Sequence, residues 1–159
     1  MSAPTQTHRP PITETPVKEV MAPGPATVAP TDSLHRAWDL MSRLGVHHLP
    51  VAEPDGRYRG MIDTATLAAS WPGGGPAHAQ TPVAALLAGR RHPRVRPDDP
   101  VAAVAVAMLH SAVHAVAVTS ENGRILGIVT AHDLIGALAG VSRDLMSAHH
   151  PGGSRVEPE

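Results

Sequence analysis

The chain of 159 residues contains no cysteine and no phenylalanine, and only two Trp and one Tyr. Without thiols there is no disulfide framework, no thiolate nucleophile and no thiolate metal ligand, a usage that fits a reducing compartment. With so few rings the core must be built from Ala, Val, Leu, Ile and Met, which fill space only when elements approach closely. A large net charge is missing too: 13 Lys and Arg balance 14 Asp and Glu, which removes the electrostatic footprint of a dedicated nucleic-acid binder. No apolar run is long enough to cross a bilayer. The most apolar stretch, Val101 to Val118, is interrupted by His110, Ser111 and His114 and reads as a helix followed by a strand. The segment MSAPTQTHRPP lacks the apolar core of a secretory signal, so a cytoplasmic protein is expected. No Ser lies in a G-x-S-x-G elbow, and nothing in the residue inventory supports an enzyme.

What the chain does have is an internal repeat. Pro30 to Leu67 aligns without a gap on Pro97 to Leu134 at an offset of 67, pairing Met41 with Met108, His47 with His114, Val51 with Val118, Gly56-Arg57 with Gly123-Arg124 and Gly60 with Gly127. One structural unit is used twice. Each copy is too small for an independent core, because units of about 60 residues are marginal alone, so the pair is expected to fold as one module with clefts at a shared interface.

The order of elements follows from the pattern. Each copy opens with Thr-Pro-Val, at Thr15 and at Thr81, an offset of 66, so the two leaders differ by one loop residue. Pro after a Thr cap predicts short helices over Pro16–Met21 and Pro82–Ala88. Extended runs follow at Ala26–Ala29 and Pro93–Arg96. Apolar residues at helical spacing then predict a helix carrying Leu34, Ala37, Leu40, Met41 and Leu44, matched by Val101, Val104, Ala107 and Met108. Thr31 or Asp32, and Asp98 or Asp99, are the expected caps. Two hairpins come next, His47–Ala52 with Arg57–Ile62 and His114–Thr119 with Arg124–Val129, joined by Gly-containing turns. A last helix starts near Thr64 and near Ala131. The expected organisation is a disordered tail over 1–14, one unit over 15–70, a Pro/Gly linker over 71–80, a second unit over 81–148 and a disordered tail over 149–159.

The second copy ends its hairpin in Gly127-Ile128-Val129-Thr130-Ala131-His132-Asp133-Leu134, at a strand-to-helix junction. That phrase, the tandem repeat and the β-α-β-β-α order resemble the cystathionine-β-synthase (CBS) domain, and the pair resembles a Bateman module. The resemblance spans roughly Pro16 to Leu138. It implies an α/β (α+β) fold of two pseudo-twofold-related CBS domains, each with a short leading helix. It also implies a regulatory module that binds an adenine nucleotide (AMP, ADP or ATP) or S-adenosylmethionine between the two halves and signals to a partner protein, with no resident cofactor. Relatives commonly pair as homodimers, so a homodimer is expected.

Residue chemistry supports such a site and also a purely structural one. A carboxylate such as Asp133 can accept both vicinal ribose hydroxyls, and the Thr130 hydroxyl sits beside the donors of a helix N-terminus. Thr130-x-x-Asp133 is equally the pattern of a capping box. The first copy carries Asp63 and Thr66 at these two positions, which keeps a cap but puts negative charge where phosphate is expected. At most one family-type site is therefore expected, centred on Asp133, with Ile128 as apolar floor and His47, His48 and His114 at strand starts as candidate phosphate contacts. Ala115 occupies a position where relatives can carry Arg. The alternative is a ligand-free interaction module with a blocked cleft, filled for instance by Met21 or His48. The basic run Arg90–Arg96 has no recognition motif or stacking aromatics beside it, so nucleic acid is not the expected partner. His110 and His114, four apart, fall on either side of a helix end, and no metal site is expected from them.

Overall fold

The computed structural model describes residues 9–71 and 76–141. Eleven elements follow one another: β1 (Ala22–Pro23), α1 (Leu34–Leu44), β2 (His48–Ala52), β3 (Tyr58–Asp63), α2 (Thr64–Ala69), α3 (Pro76–Ala79), β4 (Arg94–Val95), α4 (Val101–Ser111), β5 (Ala115–Thr119), β6 (Ile125–Thr130) and α5 (Ala131–Leu138). The mixed α+β architecture with two repeats is the expected one, and β2-β3 and β5-β6 are antiparallel hairpins in equivalent registers. Helices and hairpins alternate because apolar spacing switches from helical to twofold at Gly45 and at Ala112, both in the left-handed conformation that ends a helix.

The leaders are exchanged between the halves. Val17 donates to the Asp99 carbonyl at 2.8 Å and Val101 to the Thr15 carbonyl at 2.9 Å, while Val83 donates to the Asp32 carbonyl at 2.8 Å and Leu34 to the Thr81 carbonyl at 2.9 Å. Val17 is accordingly buried among Val104, Val116 and Val129 of the second copy, and Val83 among Leu34, Leu49 and Ile62 of the first. Each such valine contributes about 1.5–3 kcal/mol of burial to the half it does not belong to in sequence. The hairpins also clasp each other across the pseudo-twofold axis. Tyr58 donates to the Gly123 carbonyl and Ile125 to the Gly56 carbonyl, both at 2.9 Å, with Arg57 and Arg124 bridged between them.

Local details depart from the sequence reading. The predicted leading helices are only one-turn 3-10 helices, Val17–Glu19 and Val83–Leu86, and Pro16 and Pro82 stand before them with extended backbones. The caps shift as well. Ser33 caps α1, accepting from the Arg36 N–H, and Pro100 precedes α4 without a side-chain cap. Asp32 and Asp99 instead accept from Ala29 and Arg96, both at 2.8 Å, and tie the loops before the helices. Residues 12–14, expected in a disordered tail, form a 3-10 turn against α4. The linker contains the single turn α3, whose His78 ring bonds to the Ser70 carbonyl. The remaining tail expectations, 1–8 and 149–159, lie outside the described residues.

One asymmetry shapes the rest of the molecule. In the second copy, β1 pairs with β6, Ala22 opposite Ile128 and Pro23 opposite Gly127, completing a sheet of order β1-β6-β5-β4. In the first copy the equivalent edge of β3 has no such strand. There the Met61 N–H donates to His92 Nδ1 at 3.1 Å. An imidazole replaces a backbone ladder, and the chain beside it turns away.

Candidate ligand-binding site

A cavity of about 910 Å³ opens on that side of the molecule, between the halves. Its walls are the start of β2 (His47, His48), the β3–α2 junction (Met61, Asp63, Thr66), the segment before β4 (Arg90, Arg91, His92) and the α4–β5 junction (His110, His114, Ala115). Its size falls within the range of about 300–1,000 Å³ usual for small-molecule sites. Two guanidinium groups and five imidazoles face a single carboxylate.

Asp63 organises the centre. It caps α2, accepting from the Thr66 N–H at 2.7 Å, and it closes β3 opposite His48. Arg90 reaches across from the other half. One guanidinium nitrogen donates to Thr66 Oγ1, and another lies 3.6 Å from Asp63 Oδ2. Burial acts most strongly on the Asp63 carboxyl and pushes its pKa up, yet the hydrogen bonds from Thr66, with Arg90 and His48 nearby, hold it below its ordinary value. The negative charge that argued against a phosphate here is thus already neutralised by Arg90.

The histidines divide by their partners. His92 accepts the Met61 N–H on Nδ1, so Nε2 carries the proton and donates to the Leu87 carbonyl at 2.9 Å. Both ring nitrogens are thus used by the backbone. His48 is half-buried, and that burial lowers its pKa, with His114 and His47 adding to the effect and Asp63 opposing it. His47, His110 and His114 are exposed on the cavity rim.

The six residues singled out from the sequence separate into two groups. His47, His48 and His114 come together in this cavity, whereas Thr130, Asp133 and Ile128 do not line it. Asp133 is buried at 9% exposure. It forms the reciprocal capping box with Thr130: the Thr130 N–H donates to Asp133 Oδ2 at 2.9 Å, and the Asp133 N–H donates to Thr130 Oγ1 at 3.3 Å. Ile128 pairs with Ala22 of β1 and is buried, and Met21 lies on Gly127, where an added Cβ would be 2.5 Å from the Met21 sulfur. Leu87 lies on Gly60 in the same way, so Met21 is one of a symmetric pair of packing residues. The expected site at Asp133 and the cavity beside Asp63 thus stand at the corresponding strand-to-helix junctions of the two copies. Arg90, His92 and Thr66 stood out in the sequence only as members of a basic run and a helix cap, not as residues of one site. The signal was present in the extra loop residue between Val83 and Val95, which supplies the Arg90-Arg91-His92 corner.

Among the described residues no group of three or more His, Asp or Glu is placed to hold a metal ion, and no helix is long and apolar enough to cross a membrane.

The sequence profile of the CBS domain matches the chain twice, at residues 17–70 and 87–140, and the chain belongs to the CBS domain family as a tandem pair. Solved structures share the fold. The CBS domain pair of protein MJ0100, in complex with 5'-methylthioadenosine and S-adenosyl-L-methionine, is 24% identical with a TM-score of 0.68 over 82% of this chain and 98% of that one. The CBS domain of a bacterial CNNM/CorC family Mg2+ transporter, in complex with ATP, is 20% identical with a TM-score of 0.70 over 82% and 92%. An acetoin utilization protein of Vibrio cholerae is 20% identical with a TM-score of 0.68 over 86% and 98%. No curated protein matches the sequence.

Proposed function

We propose that this CBS pair is a regulatory module that takes an adenosyl ligand into the cavity beside Asp63 and transmits its occupancy to a partner protein, without catalysing a reaction. The observation that carries the reading is the cavity itself, roomy, formed by both halves and rich in cationic groups. Similar pairs hold 5'-methylthioadenosine and S-adenosylmethionine, or ATP. Met61, Ala69, Val113 and Ala115 supply apolar wall for a base, and Arg90, Arg91 and His114 supply the polar end. The module is cytoplasmic in this reading and works as a homodimer.

Isothermal titration with AMP, ADP, ATP and S-adenosylmethionine tests it. A sensor-like Kd of about 10–100 μM corresponds to roughly −7 to −5.5 kcal/mol. Hydrogen bonds to charged groups contribute about 1.5–3 kcal/mol, so Arg90→Ala is expected to weaken binding roughly ten- to a hundredfold. Asp133→Ala tests the other cleft: a loss there with Arg90→Ala unaffected would move the site to the second copy.

A second reading has its own support. Asp63, Thr66 and Arg90 satisfy one another, and Thr130 and Asp133 do the same, so the polar groups of both junctions are paired without a ligand. Absence of heat with every adenosyl compound at millimolar concentration would favour a ligand-free interaction module.

A further inference from the structure

We propose that the cavity selects a phosphate-bearing nucleotide and that binding is coupled to proton uptake by the His48–His114 cluster, so that the module reads ligand and pH together. The proposal rests on the reading of this cavity as an adenosyl site and extends it to ligand class and regulation.

The charged and titratable groups facing His48 come from every wall. They are His47 on its own strand, Asp63 at the end of β3, Arg90, Arg91 and His92 on the segment before β4, His110 at the end of α4 and His114 at the start of β5. Thr64 and Thr66 are the polar residues contributed by α2. With Asp63 held as carboxylate by Thr66 and Arg90, the empty cavity carries two fixed positive charges against one negative. Protonation of His48 there is opposed first by its burial and then by His114 and His47 beside it, with Asp63 acting in the other direction. His92 is set apart from the cluster, since both its ring nitrogens are bonded to the backbone.

A phosphate reverses this balance. Its negative charge, beside imidazoles in a partly desolvated space, favours their protonated form, and a protonated imidazole donates from both nitrogens. Linkage is reciprocal: if the ligand promotes protonation, lower pH promotes ligand binding. One proton fully taken up corresponds to about a tenfold gain in affinity per pH unit, between the imidazole pKa of the empty site and that of the occupied one. A sulfonium ligand such as S-adenosylmethionine adds positive charge to the same cluster and is disfavoured. Acidification and a rise in nucleotide then act in the same direction on one site.

Titration calorimetry with AMP and ATP, at pH 6.5 to 8 and in two buffers of different ionisation enthalpy, reads the uptake directly. Adenosine and S-adenosylmethionine are run alongside. The expected result is tighter binding as pH falls, with a buffer-dependent heat equivalent to a fraction of a proton up to one per chain. The slope should be reduced in His48→Gln and His114→Gln, which separates the imidazoles from the ligand's own phosphate titration. Imidazole NMR signals of the unmodified protein, with and without AMP, give the same answer without a variant: at least one ring should shift toward the protonated form. Binding with no uptake, or with an unaltered slope in both variants, overturns the coupling and leaves the adenosyl reading standing. Adenosine binding as tightly as AMP, or S-adenosylmethionine binding while the nucleotides do not, overturns the ligand class and keeps the module a sensor. No binding by any of the four overturns both.

Discussion

Asp63 and Asp133 stand three positions apart in the repeat register, and each is the acidic member of a helix cap. Asp133 closes a box with Thr130, and Asp63 caps α2 and is reached by Arg90 from the other half. Which charge neutralises which is a tertiary fact that the repeat alignment does not contain. The two lowered pKa values at this site, of Asp63 and His48, have the same consequence for stability. In both cases the unfolded chain binds the proton at a higher pH than the folded one, so stability falls as pH falls. The His48 contribution declines from about its ordinary value of 6.5 downward, and the Asp63 contribution below its ordinary 3.8. Urea midpoints are expected to drop less between pH 7 and 5 in His48→Gln than in the parent. Asp63→Asn, which keeps a capping oxygen, should converge with the parent only below about pH 4. Parallel curves for parent and variants would refute both assignments.

At the scale of elements, the two copies use the same devices with different residues. Helix α1 ends at Gly45 with φ of 64°, and α4 ends at Ala112 with φ of 52°. A side chain in the left-handed region costs about 1–2 kcal/mol, and Ala112 is the one described residue other than glycine that adopts positive φ. Ala112→Gly is therefore expected to stabilise the protein by about 1 kcal/mol, read as a higher urea midpoint at unchanged slope. A lower midpoint would mean that the Ala112 side chain contributes packing at the cavity wall. The hairpin and helix positions were legible because their apolar periodicities are local. The leading helices were legible only in part: Pro16 and Pro82 keep an extended backbone, and the single 3-10 turns after them are held by bonds across the module as well as within the turn.

For the whole molecule, exchange of the leaders means that neither sequence repeat is a folding unit on its own. Removing the segment around Val17 would open the core of the second copy. The outer helical surface is another global property. Helix α4 is apolar nearly all round, leaving Val106 at 50% and Leu109 at 80% exposure, and α5 leaves Ile135 at 65% and Leu138 at 75%. Aliphatic side chains grouped on one outer face are the composition of an association surface. If the proposed homodimer uses this surface, Leu109→Asp combined with Leu138→Asp should convert dimer to monomer in light scattering after size exclusion, with the thermal transition retained. A dimer that survives both changes would have to use another face.

The sequence alone determined the duplication, the family, the hairpins and the helices that follow them, because each is written in local spacing or in a residue-by-residue register. It also brought out His47, His48 and His114, since strand starts align between the copies. Only the tertiary structure decided which segments stand beside each strand-to-helix junction. A one-residue longer leader places His92 where an edge strand would pair with Met61, while β1 pairs with Ile128 in the second copy. Arg90 then cancels the charge of Asp63 from a distance of 27 residues along the chain. Spacing records where a side chain stands in its own element; the charge it meets depends on which other segment the fold lays beside it.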